Sequence, residues 1–266
     1  MKILFSTGCL YYLPTKDVFL LAKEAGFDGC ELVIDRRFND SRSIDTALQC
    51  REILPILSIH APFMKMATWG NQVCSLQRSV EVAKTLDAEI VNFHPPNWFS
   101  MEVAFFRWFR SVQDFQSKLG ADRVILAIEN MPRIGKRVLL APYILNSFKD
   151  LIEFGVSKNL YFTFDTTHLA TFGNDVIDAF LKFFKTKRLK NIHISDFGDY
   201  ESHLFLGCGE LPMVKLLNTI GRLGYEGMVT LEISPHELPR TREWLVRMLK
   251  YQVAFMRRHL RKDFNG

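Results

Sequence analysis

Val124-Ile125-Leu126-Ala127-Ile128-Glu129, an amphipathic run over 146–154, a glycine at 155, and then Leu160-Tyr161-Phe162-Thr163-Phe164-Asp165 make one complete repeat of the pattern that organises this chain. The two apolar runs are too short for ordinary helices and are bounded by turn chemistry, so each reads as a buried strand. The segment between them has helical spacing, and Gly155 reads as its stop signal. Two strands joined through a helix must run parallel, because the crossover carries the chain back to the starting edge. Both strands end in a carboxylate, Glu129 and Asp165.

The same unit recurs in both directions. Strand-like runs stand at Ile3–Ser6, Gly29–Val33, Ile56–His60, Ile90–His94, Asn191–Asp196 and Met228–Ile233, with helical patterns such as Lys16–Ala25, Val73–Leu86 and Val103–Leu119 between them. Gly26, Gly120 and Gly224 also read as helix stops before strands two, five and eight. Eight strand–helix units in 266 residues predict an α/β fold, a closed (β/α)8 TIM barrel with one domain over 1–266. A doubly wound open sheet fits less well, since Ser6-Thr7-Gly8-Cys9 offers no GxGxxG turn after the first strand.

Composition sets outer bounds. With 48% hydrophobic and 24% charged residues the chain is globular rather than disordered. The formal charge of +5 tolerates an anionic ligand, such as a sugar phosphate or nucleic acid, without demanding one. The basic run Arg257-Arg258-His259-Leu260-Arg261-Lys262 reads as a helix C-terminus whose cations complement the dipole. Five scattered cysteines with no CxxC pair argue against a disulfide framework and for a reducing cytoplasm. No apolar run reaches the length of a membrane span, so no membrane partner is expected.

In such a barrel the C-terminal strand ends carry the chemistry. That rule singles out Glu31, His60, His94, Glu129 with Asn130, Asp165 with His168, His193 with Asp196, Glu201 and His203 in the loop after strand seven, and Glu232. Taken singly, each is most simply a hydrogen-bonded structural residue. As a set they hold five of the seven histidines. Imidazoles and carboxylates converging on one rim call for cations among them, and this donor mixture suits zinc, manganese or iron better than calcium or magnesium.

Those residues lie in the phrases Ser58-Ile59-His60-Ala61-Pro62, Val91-Asn92-Phe93-His94-Pro95, Ala127-Ile128-Glu129-Asn130, Phe164-Asp165-Thr166-Thr167-His168, Ile192-His193-Ile194-Ser195-Asp196, Glu201-Ser202-His203 and Leu231-Glu232. In that order the set resembles the xylose isomerase-like TIM barrel superfamily, which includes endonuclease IV (AP endonuclease family 2) and the sugar isomerases and epimerases. The resemblance implies a shared metal quartet of Glu129, Asp165, His193 and Glu232. In the epimerase branch Glu129 and Glu232 would exchange protons with the carbon beside a carbonyl. In the endonuclease branch the surplus ligands imply up to three zinc ions. One would be held by His60, His94 and Glu129, one by the quartet, and one by His168, Glu201 and His203. Such a cluster suits phosphoester hydrolysis at abasic sites in damaged DNA or on a related sugar phosphate.

The surplus ligands and the positive charge tilt the expectation toward the hydrolase, with the sugar or sugar-phosphate isomerase or epimerase as the alternative. A metal-bound protein without activity is disfavoured, because buried charges are costly to retain without use. Two features pull the other way. The usual Asp of the third site stands as Glu201, and Glu31 resembles an isomerase-type pocket residue. Candidate substrate contacts are Glu31, Arg36, Arg37, Phe63, Met64, Trp69, Trp98, Asn130 and Asp196. In them, arginines would meet phosphates and aromatics would wedge into DNA or lid a small pocket.

Overall fold

A computed structural model describes residues 1–135, 140–199 and 201–261. Lys262 of the basic C-terminal run lies outside them, while Arg257, Arg258 and His259 fall in the last turn of the final helix, as a dipole-complementing role requires.

Eight strands close a parallel barrel: β1 (Lys2–Ser6), β2 (Gly29–Val33), β3 (Ile56–His60), β4 (Ile90–Phe93), β5 (Ile125–Glu129), β6 (Tyr161–Asp165), β7 (Leu189–Ile194) and, last in the chain, β10 (Met228–Leu231). Each pairs with its sequence neighbour, and β1 closes against β10 through Lys2↔Met228 to Phe5↔Leu231. Strand seven stops at Ile194, two residues earlier than its apolar run suggests. The loop after it forms a small antiparallel hairpin of β8 (Asp196–Gly198) and β9 (Glu201–Leu204).

Side chains alternate across a strand, so every second residue enters the barrel. The interior is therefore layered. At the N-terminal end Leu4, Ile90, Ala127 and Met228 pack as a small apolar plug. Two residues further along the strands stand Ser6, Glu31, Ser58, Asn92, Thr163, Asn191 and Thr230, all fully buried. Another step brings His60, Asp165, His193 and Glu232, which Glu129, two residues beyond Ala127, joins through its side chain. Outward-facing residues such as Phe5, Leu32, Ile59, Leu126, Phe164 and Ile192 meet the helices in the main apolar core.

Two local expectations change. The predicted Val103–Leu119 helix is broken into Val103–Ser111 and Phe115–Lys118. Val112 turns extended and Asp114 caps the second piece by accepting from Ser117 N at 2.9 Å, which lets Phe115 bury completely. Gly155 is no stop signal, since the helix runs Phe148–Ser157 through it. A Cβ there would overlap the Phe162 ring on β6, so the glycine lets the helix lie close on the barrel. Gly26, Gly120 and Gly224 do sit at positive φ, as helix stops should.

Candidate metal centre

Strand alternation turns one candidate donor from each of β3, β5, β6 and β7 into the barrel near its C-terminal end, with His94 and Glu232 immediately after β4 and β10. Glu129 stands at the centre. Its Oε2 is 3.4 Å from Nε2 of both His60 and His94, and its Oε1 is 3.1 Å from His168 Nδ1 and 3.4 Å from His193 Nδ1. Glu232 Oε2 lies 2.8 Å from the same His193 nitrogen.

Three groups of donor atoms result, each with its members within 4.8 Å of one another: His60, His94 and Glu129; Glu129, Asp165, His193 and Glu232; and Asp165, His168 and His203. The first two have the membership the sequence resemblance implies. The third differs. Asp165 joins His168 and His203, while Glu201 is exposed and belongs to no such group among the described residues. In a regular strand Glu201 and His203 would share a face, but His203 has a φ of +62°, which breaks the alternation between them.

The surroundings aim the ligands. His60 Nδ1 is 2.8 Å from the Ala61 carbonyl, which leaves Nε2 of that ring for the cluster, and His168 Nδ1 sits between the Asn130 carbonyl at 3.0 Å and Glu129 at 3.1 Å. His203 Nδ1 lies 3.2 Å from both Ser195 Oγ and the Glu232 carbonyl. Asp165 Oδ1 caps the short helix Thr166–Ala170 by accepting from His168 N at 2.7 Å. Its other oxygen has no hydrogen-bond partner. Glu129 Oε2, His193 Nδ1 and His94 Nδ1 are likewise buried without a hydrogen bond.

Charge coupling is strong. Burial works against the charged form of Glu129, yet the imidazoles of His193, His168 and His60 hold its carboxyl well below the usual range. Burial also opposes protonation of His193, but Glu31, Glu129 and Glu232 raise it well above an ordinary histidine. For His168 the burial penalty is outweighed by Asp165 and Glu129, which push it up to about 9. Burial lowers His94. Without a cation the cluster is balanced by protons on imidazole. Its unpartnered buried atoms, carboxylate oxygens and imidazole nitrogens are the donor set a divalent metal requires.

The residues expected to touch substrate divide. Phe63 is half exposed on the rim, its ring 6.0 Å from that of His94. Arg36 and Trp98 are exposed, and Met64 is partly buried. The others serve the scaffold. Arg37 is held by Asp35 at 2.6 Å and donates to the Leu13 carbonyl. Trp69 is 2% exposed and donates to the Phe38 carbonyl at 2.9 Å. Asn130 pins β6 through both the N–H and the carbonyl of Asp165. Asp196 accepts from the backbone N–H groups of Phe197, Gly207 and Leu211. Glu31 does not reach the pocket at all; it lies fully buried beneath His193.

Two clefts flank the cluster. One, beside His94, is walled by Phe63, Phe99, Phe105 and Tyr143 and contains Glu102, whose Oε2 is buried without a partner. The other opens on His168 and His203 and includes Arg133 and Phe197. Tyr143 and Arg133 come from loops with no periodic signal, so sequence reading passes over them. The polar residues two places before His60, His94, Asp165, His193 and Glu232 (Ser58, Asn92, Thr163, Asn191 and Thr230) did carry a signal, the period of two.

A closed barrel with imidazoles and carboxylates gathered at its C-terminal rim defines a TIM barrel with a candidate metal centre. The chain belongs to the xylose isomerase-like TIM barrel family, whose model matches residues 19–252. A Mycobacterium tuberculosis protein of uncharacterised function is 28% identical over 98% of both chains. Among solved structures, an IolI protein with a bound zinc atom superposes with a TM-score of 0.75 at 18% identity, covering 97% of this chain and 99% of that one. A D-tagatose 3-epimerase-like protein gives 0.69 at 22% identity with the same coverage. The expected tilt toward an endonuclease IV-like hydrolase draws no specific support from these relatives. Among the described residues no helix is long and apolar enough to cross a membrane.

Proposed function

We propose that this protein is a divalent-metal-dependent isomerase or epimerase of sugars or sugar derivatives, with Glu129 and Glu232 as its proton-transfer pair. The observation that carries this reading is their placement: the two carboxylates approach one His193 nitrogen, at 3.4 and 2.8 Å, from separate strands. The fold likeness to an epimerase-like protein adds support.

Glu129, Asp165, His193 and Glu232 would hold the ion, and the donor types suit zinc, manganese or iron. When bound, such an ion supplies Lewis acidity to a carbonyl and a hydroxyl of the substrate. The chain does the rest. One glutamate removes the proton from the carbon beside the carbonyl, giving an enediolate. The other returns a proton from the opposite face for epimerisation, or to the neighbouring carbon for isomerisation. Strand-borne placement keeps both carboxylates in register with the substrate. His168 and Arg133, on the wall of one cleft, are placed to bind its oxygens.

The test is to incubate the metal-loaded protein with a panel of ketoses, ketose phosphates and keto-glycosides in D2O. Deuterium should enter at the carbon beside the carbonyl, and both E129Q and E232Q should stop it. No exchange from any member of the panel would remove the proposal.

A second reading keeps one specific observation in its favour. His60, His94 and Glu129 form a further donor group beyond the quartet, and a third lies at His168 and His203. That surplus fits a multinuclear phosphoester hydrolase acting on abasic-site DNA or a sugar phosphate. Incision of an abasic duplex by protein carrying three ions would favour it over the epimerase.

A further inference from the structure

We propose that Glu31 is a positioning residue that decides which nitrogen of His193 faces the metal-ligand cluster; this rests on the metal reading of the site given above.

Barrel interiors are normally filled by branched apolar side chains, and a carboxylate with no exposure is costly there unless its neighbours compensate it. Glu31 has no exposed surface. Its neighbours are all donors. Ser58 Oγ donates to its Oε2 at 2.8 Å, Asn191 Nδ2 donates at 3.0 Å, and Asn92 Nδ2 donates to the same oxygen. The two asparagines have no freedom to turn round. A carboxylate only accepts, so each amide must present its NH2 to Glu31, and its carbonyl oxygen is left to accept from Thr230 Oγ1, at 2.9 Å for Asn191, and from Thr163 Oγ1 for Asn92. Contributions from β3, β4, β6, β7 and β10 thus fix one carboxylate on the barrel axis.

What that carboxylate meets above it is His193. Nε2 lies 3.0 Å from Oε1 and 3.2 Å from Oε2 of Glu31. Glu31 therefore holds a proton on Nε2, and Asn92 Nδ2, 3.4 Å from that nitrogen, already gives its NH2 to Glu31. Nδ1, among the ligand carboxylates, is the nitrogen left to give up its proton and offer a lone pair when a metal is taken. Nδ1 points the other way, 2.8 Å from Glu232 and 3.4 Å from Glu129, buried and without a hydrogen bond. The polar layer thereby transmits a ring orientation from below to the ligand layer above. A carboxylate behind a ligating imidazole also raises its basicity, and loss of such a partner typically weakens metal affinity by about 10–100-fold.

The experiment has two arms. First, the Zn2+-loaded wild-type protein, labelled with 15N-histidine, should show His193 protonated at Nε2 with a metal-shifted Nδ1. A proton on Nδ1 overturns the proposal. Second, E31Q, with circular dichroism and thermal midpoint like the wild type, should bind Zn2+ about 10–100-fold more weakly in competition with a chromophoric chelator. E31D keeps the charge but withdraws it by one methylene, and should not restore affinity. Wild-type affinity in folded E31Q overturns the proposal. Should E31Q not fold, the wild-type spectrum decides alone. Wild-type protein that takes up no Zn2+ removes the metal reading and this inference with it, whereas normal uptake with the other tautomer removes this inference only.

Discussion

Glu129 and His60, at the ends of β5 and β3, approach to 3.4 Å through Glu129 Oε2, and the same carboxylate reaches His193 through Oε1. One side chain therefore belongs to two donor groups at once, as Asp165 also does, and the consequences of changing it differ from those of changing a residue that belongs to a single group.

Substituting Glu129 by Gln should lower metal content in both groups that share it, whereas E232Q should spare the His60–His94 group. Both changes should cut proton exchange by at least 10²–10⁴-fold, roughly the contribution of a positioned acid or base. Metal analysis beside a deuterium-exchange assay checks this. Equal metal loss in the two variants would contradict the shared role of Glu129.

Metal stoichiometry separates the proposed chemistries. Replacing His94 by Ala removes a member of one donor group, and replacing His203 by Ala removes a member of another. If all three groups bind, each variant should lose one ion per chain. If the quartet alone binds, both should retain the wild-type count, and the epimerase reading then needs no surplus ligands.

The metal-free protein should lose stability as pH rises from about 6.5 to about 9. His168 is raised from 6.5 to about 9 in the folded state, by Asp165 and Glu129 acting against burial. A raised folded value stabilises fully below the unfolded value, and that contribution disappears as pH climbs through the folded one. Glu129 is shifted the opposite way, so its contribution is lost on the acid side instead. Bound metal replaces the imidazole protons, so loading at pH 7 should release protons and flatten the alkaline decline. Thermal midpoints against pH, with chelator and with Zn2+, measure both effects. Parallel profiles would contradict the proton-balanced cluster.

Gly155→Ala should destabilise the fold by about 1–3 kcal/mol, because the added methyl meets the Phe162 ring across the helix–strand contact. Gly173→Ala makes a useful contrast: nothing lies near its absent Cβ, and only its φ of +69° opposes the change. Urea denaturation of both variants separates overpacking from backbone strain; an unchanged midpoint for Gly155→Ala would mean that the helix can shift away.

Much of the site was legible in the order of residues. Apolar runs ending in His60, Glu129, Asp165 and His193 announce strands whose C-terminal ends carry polar groups, and a barrel brings such ends together whatever their separation in the chain. Glu201 stands outside the donor groups because residue spacing assumes regular alternation, and the positive φ at His203 breaks it. Trp69 and Arg37 look like rim residues in a loop, but whether a loop side chain folds inward depends on partners such as Phe38 and Asp35 that are chosen in three dimensions.

By itself, then, the sequence determined the repeat, the barrel and nearly every member of the donor groups, because strand periodicity and strand ends are local properties. Tertiary structure alone decided what each polar residue does. Glu31, Ser58, Asn92 and Asn191 come from four strands, and only closure of the barrel sets their donors around one carboxylate beneath His193. Hydrogen bonds across a closed sheet depend on register and height, which no single segment encodes.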